Sequence, residues 1–198
     1  MDAGVEAVVL IGHGAAAADT PRQLVAELKR LESERLTRRG KEMSAREAEL
    51  DRTVRDWPRT PENDPYRLGI ERIAAELRPR LGGRELSVAY NEFCAPSVED
   101  AVSALIARGF SRVRLISTMF TRGGVHAECE IPGLVLDLRV RHPGVVIDYA
   151  WPFDADFVAD FLVRQLERTA PRRSSKSAVA GDANSSAGSH RVRRAVDA

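Results

Sequence analysis

The chain is 198 residues long, with 43% hydrophobic and 30% charged side chains and a formal net charge of +1, the balance of one globular domain with appendages. Near-neutral charge gives no general attraction to nucleic acid or an anionic bilayer, and no apolar run approaches the roughly 20 residues that span a membrane. An acidic start running straight into an apolar stretch does not read as a signal peptide, and two cysteines fit free thiols in a reducing compartment, so the expected location is cytoplasmic.

Val5 to Ile11 (VEAVVLI) is a continuous apolar run and predicts a buried parallel strand. It ends in Gly12-His13-Gly14, a histidine held between two glycines. Thr20 and Pro21 read as an N-cap and first helical residue, with Leu24, Leu28 and Leu31 on the inward face of the helix that follows. The loop is too short, and its glycines wrongly spaced, for a dinucleotide or P-loop fingerprint. From about residue 32 to 64 the composition turns highly charged. Ser44 and Glu47 form a capping-box pattern, predicting a second helix to about Asp56. This segment reads first as a solvated helical hairpin inserted after the first helix; the alternative is a lid with Trp57 as its apolar anchor.

Asp64-Pro65 opens a helix with Leu68, Ile70, Ile73, Ala74 and Leu77 inward, and Gly82-Gly83 stops it. Leu86 to Tyr90 is the second strand, leading into NEFCAPS; a helix from Pro96-Ser97 to Ala107 follows. Ser111 to Ser117 is the third strand. Beyond it lies TMFTRGGVHAECEIP (Thr118 to Pro132), where Gly123-Gly124 permits a sharp turn and His126, Glu128, Cys129 and Glu130 are available as ligands or proton carriers. Pro132 is expected to begin a helix to about Arg141, His142-Pro143-Gly144 turns the chain, and Val145 to Tyr149 is the fourth strand. A last helix spans Asp154 to Arg168. Residues 171–198, rich in Ser, Ala, Gly and basic side chains, read as a disordered basic tail after a domain of residues 1–170.

Strands alternating with helices predict an α/β protein with an open parallel sheet of about four strands. In such a sheet His13, Glu92 and His126 each stand just past the carboxyl end of a strand, where open α/β sheets bind ligands. Two imidazoles and one carboxylate are a common set for a divalent transition metal. One histidine at such a place has ordinary capping uses; a second in an equivalent loop makes the metal reading the sharper one. Cys94 and Cys129 read as small core thiols.

At these residues the chain resembles the class II chelatases, the sirohydrochlorin cobaltochelatases and ferrochelatases of cobalamin and sirohaem synthesis. Gly12 to Gly14 matches the family's GHG loop, Glu92 to Ser97 its E-x-x-x-P-S motif, Gly123 to Pro132 its G-G-x-H-x-x-x-D-I-P motif and His142 to Gly144 its H-P-G turn. The resemblance runs from about Val5 to Gln165, apart from the charged insert. It implies a lyase that inserts a metal into a tetrapyrrole, with His13, Glu92 and His126 holding the ion and His13 and His126 as the catalytic imidazoles. Arg122, Gly123 and Gly124 are then expected to meet the substrate's carboxylates. One motif set implies a homodimer, and no organic cofactor, nucleic acid or membrane is called for. Two residues depart from the pattern: Ala15 stands where a serine is frequent, and Glu130 where an aspartate is usual. The ligand set accepts Co²⁺, Fe²⁺ and Ni²⁺ alike. A non-catalytic metal or tetrapyrrole carrier remains open, as does a zinc hydrolase with Glu128 or Glu130 as base.

Overall fold

β1 (Glu6–Gly12) lies at the centre of the sheet because its alternate residues are apolar on both faces: Ala7, Val9 and Ile11 are fully buried, and Val8 and Leu10 nearly so. The computed structural model describes residues 6–38 and 42–169. The expected tail, and the end of the expected domain beyond Thr169, lie outside the described residues. Two compact units divide the chain, residues 1–159 and 160–198. The sheet and everything described below except the later part of the last helix belong to the first.

β2 (Glu85–Tyr90) and β3 (Arg112–Ser117) pair with β1 on either side, and β4 (Val146–Tyr149) pairs with β3. All pairs are parallel, in the order β2-β1-β3-β4, so the four-strand parallel sheet is as the sequence predicts. Between β1 and β2 run α1 (Arg22–Thr37), α2 (Ala45–Arg55) and α3 (Pro65–Leu77); α4 (Val98–Ala107) joins β2 to β3, α5 (Ile131–Arg141) joins β3 to β4, and α6 (Ala155–Thr169) ends the described chain. One face of the sheet packs Ala7, Val9 and Ile11 against Val102 and Leu105 of α4 and Val135 and Leu138 of α5. The other packs Val8 and Leu10 against Ile70 and Ala74 of α3. The connection after β1 runs to β2 and the one after its neighbour β3 runs the opposite way to β4, so the topological switch point falls between β1 and β3. Register sets Gly12 beside Tyr90 and Ile11 beside Ser117, so the loops after all three strands leave the sheet at one level.

Several local expectations need correcting. Pro21, not Thr20, sits at the cap of α1, and the Thr20 hydroxyl is buried without a hydrogen-bond partner among the described residues. Ile73 is 50% exposed, because the face of α3 that meets the sheet is the narrower one carrying Ile70 and Ala74. Cys94 is buried, as expected, but Cys129 is exposed. The Ser44 cap does form, its hydroxyl accepting from the Glu47 N–H at 3.1 Å.

The largest difference concerns the charged segment. It is not a solvated hairpin: Leu50 and Val54 of α2 are buried against Leu28 of α1, with Ala16 and Phe93 packed beside them. Trp57 is only half-buried, its indole N–H donating to Asp19. Charge misled the reading because two of the arginines, Arg55 and Arg59, are spent inside the protein. Arg59 donates to the carbonyls of Ala15, Val54 and Phe93, and pairs with Asp64 at 2.7 Å; the two side chains are 5% and 1% exposed. Arg55 donates to the carbonyls of Tyr90, Asn91 and Cys94. Two guanidinium groups from this segment therefore hold the backbone of the loops after β1 and β2.

Candidate metal centre

The loop after β1 and the loop after β2 are joined backbone to backbone. The Asn91 N–H donates to the Gly12 carbonyl at 3.0 Å and the Glu92 N–H to the His13 carbonyl at 2.8 Å. Gly14 makes this approach possible: its φ is +94°, and a Cβ there would stand 1.8 Å from the Glu92 carbonyl oxygen. The His13 N–H donates to the Tyr66 hydroxyl at 2.8 Å, which ties the same loop to α3.

The third loop differs from expectation. His126 does not sit on a glycine-flexed loop but opens a wide, π-type helical turn, His126–Glu130, which runs directly into α5. Pro132 is the second residue of that helix rather than its beginning; lacking an N–H, it cannot make the regular bond that would tighten the turn. The turn brings Glu130 back under His126. The His126 Nδ1–H donates to Glu130 Oε2 at 2.8 Å, and the Asn91 amide donates to the same oxygen at 2.9 Å. Burial opposes charge on Glu130, but these two hydrogen bonds outweigh it and hold the carboxyl below its usual range.

His13, Glu92 and His126 come together: one ligand atom from each lies within 4.8 Å of the others. Both imidazoles have Nδ1 committed, His13 donating to the Gly14 carbonyl at 2.7 Å and His126 to Glu130. With Nδ1 so engaged, Nε2 is the atom each ring has left to offer an ion. Those atoms face the buried Glu92 carboxylate, His126 Nε2 at 3.6 Å from Oε1 and His13 Nε2 at 4.0 Å from Oε2. The rings meet edge to face at 4.8 Å between centroids. Bonds of about 2.0–2.1 Å in a tetrahedral site put ligand atoms roughly 3.3 Å apart, so the widest gap among these three need close by only about 1.5 Å to grip an ion.

Arg122, Gly123 and Gly124, expected to meet substrate, are all exposed on the loop before His126 and lie outside the three-residue cluster. A cavity of about 560 Å³ opens beside Glu92 and Glu130 rather than over the imidazoles, walled by Leu28 and Arg35 of α1, Met43, and Leu134 of α5. The sequence reading missed Asn91, Tyr66 and Lys29. Lys29 donates to Glu92 Oε2 at 2.8 Å from α1, 63 residues away in sequence. Burial acts to lower the pKa of its ammonium, but the hydrogen bonds to Glu92 and Glu32 prevail and raise it. No local pattern marks Lys29, which looks like any helix-surface lysine.

An open parallel sheet carrying two imidazoles and a carboxylate beside its switch point defines an α/β protein with a ligand set suited to divalent transition metals. The CbiX family model matches residues 62–169, more than half of the chain, and the chain belongs to the CbiX family. Glu92 and His126 fall within the matched range and His13 before it. No curated protein matches the chain. Among solved structures it is similar to the sirohydrochlorin chelatase SirB from Bacillus subtilis subspecies spizizenii in complex with cobalt, at 14% identity over 82% of this chain and 50% of that one, TM-score 0.46. SirB from Bacillus subtilis with Fe³⁺ is matched at 15% identity over 84% of this chain and 48% of that one, TM-score 0.43. A putative cobalamin (vitamin B12) biosynthesis CbiX protein from Marinobacter aquaeolei VT8 is matched at 16% identity over 82% of this chain and 96% of that one, TM-score 0.45. The chain spans about half the length of the SirB chains it matches. Among the described residues no helix is long and apolar enough to cross a membrane.

Proposed function

We propose that the protein is a metallochelatase that inserts a divalent metal, Co²⁺ or Fe²⁺, into sirohydrochlorin or a related tetrapyrrole. The observation that carries this reading is the convergence of the two Nε2 atoms on one buried carboxylate, beside the sheet's switch point. Membership of the CbiX family supports it. The metal is a substrate here, so a three-ligand, slightly open site suits it: the ion must be held, then surrendered. Insertion exchanges one M²⁺ for two pyrrole protons. As the ion moves to the macrocycle, Nε2 of His13 and His126 becomes free to accept those protons, which imidazole does near neutral pH. Arg122 and the backbone at Gly123 and Gly124 are the proposed contacts for the substrate's carboxylates.

A hydrolase reading is weaker, because Glu130 is engaged with His126 Nδ1 and Glu128 is exposed, so neither stands as a base beside a metal-bound water. A homodimer is part of the proposal, and Leu136 and Val140 of α5, 59% and 81% exposed, are the apolar side chains it would cover. The test is an absorbance assay of the purified protein with sirohydrochlorin and Co²⁺, Fe²⁺ or Ni²⁺ in turn. Catalytic turnover supports the chelatase; binding of a single equivalent that then stops identifies a carrier instead.

A further inference from the structure

The cluster already has a cation beside it. Lys29 Nζ is 2.8 Å from Glu92 Oε2, the oxygen that faces His13 Nε2. The ammonium has a second acceptor on its own helix, Glu32 Oε2 at 3.1 Å, and lies 4.7 Å from the centre of the Phe93 ring. Glu92 is only 8% exposed while the Lys29 side chain is 44% exposed, so water reaches this pair from the lysine side alone. A divalent ion seated among His13, Glu92 and His126 would meet a fixed positive charge at near-contact range, on a carboxylate oxygen that both require.

We infer that Lys29 is a positioning residue that keeps the site's grip on its metal weak, by competing for Glu92 and moving to Glu32 when the ion binds. This rests on the reading of the three-residue cluster as a metal site. Two consequences follow from the geometry. With no metal bound, the ammonium neutralises a buried carboxylate that would otherwise be costly to leave unpaired. With metal bound, its return to Glu92 favours departure of the ion toward an acceptor, which is what a protein that must surrender its metal requires. The ammonium itself lies over the Phe93 ring, a cation–π contact that helps hold the charge beside Glu92.

The experiment is a titration of the full-length protein with Co²⁺ alone, followed by the visible absorbance of the bound ion, with release to excess chelator measured separately. Lys29→Met should bind Co²⁺ at least tenfold more tightly and release it correspondingly more slowly, while Lys29→Arg, which keeps the charge, stays within threefold of the parent. Glu32→Gln, which removes the alternative resting place, should bind at least threefold more weakly. A merely structural loosening would shift Lys29→Met and Glu32→Gln the same way, so opposite directions support the proposal and a common direction overturns it. Lys29→Met binding within twofold of the parent, or more weakly, overturns it too. If the parent itself binds no Co²⁺, the metal-site reading falls and takes this proposal with it. If Co²⁺ binding responds as stated but no macrocycle is metallated, only the chelatase reading falls.

Discussion

Replacing Gly14 with alanine tests how the three ligands are brought together. An added Cβ would lie 1.8 Å from the Glu92 carbonyl oxygen, which real structures do not allow, and the backbone at φ +94° is strained for any side chain. The two loops must part, weakening the bonds from Glu92 N–H to His13 and from Asn91 N–H to Gly12. Strain of about 1–3 kcal/mol and two backbone hydrogen bonds at about 1 kcal/mol each give a cost of roughly 3–5 kcal/mol. In a chain of this size that is a fall in Tm of roughly 6–20 °C. Gly123→Ala is the control: φ there is +84°, but the added Cβ meets nothing within 4 Å. It should cost only the conformational strain, about 1–2 kcal/mol. Thermal melts followed by circular dichroism, with Co²⁺ titration of both variants, separate the two terms. Gly14→Ala should lose stability and metal binding together. If it melts with Gly123→Ala and binds Co²⁺ like the parent, the contact between the loops does not organise the site.

Other substitutions probe the supports of the cluster. Arg59→Met leaves Asp64 charged, buried and without its cation and frees the loop carbonyls of Ala15 and Phe93, so chemical denaturation should show a loss of about 3–5 kcal/mol; a loss under 1 kcal/mol would mean the segment does not brace the site. Glu130 has its pKa depressed in the folded protein, so its contribution to stability is present above the ordinary glutamate value of about 4.3 and is lost as pH falls through the lower folded value. Glu130→Gln should therefore flatten the acid limb of Tm against pH, and an unchanged limb would show that the carboxylate is not held as described. His126→Ala should keep the far-ultraviolet circular dichroism of the parent, because the ring is a partly exposed rim group, yet lower metal insertion at least a hundredfold. Insertion persisting within threefold of the parent would remove His126 from the working set.

The sequence determined the strands, their parallel direction and the three side chains that meet at the sheet's edge, because each signal is local. Val5 to Ile11 is apolar on both faces, which only a strand covered on both sides satisfies. His13, Glu92 and His126 each follow such a run, so their place at the sheet's carboxyl edge comes with the fold class. What the tertiary structure decided depends on distant partners. Arg55 and Arg59 looked like solvent charge until their acceptors, the loop carbonyls, were folded against them. His126 was read as a loop residue because Gly123-Gly124 and Pro132 are helix breakers in isolation, whereas packing of Ile131 and Val135 in the core carries the helix back through the proline into a wide turn. Lys29 could not be assigned at all from sequence: its partner is a carboxylate 63 residues away, and only the fold sets that distance at 2.8 Å.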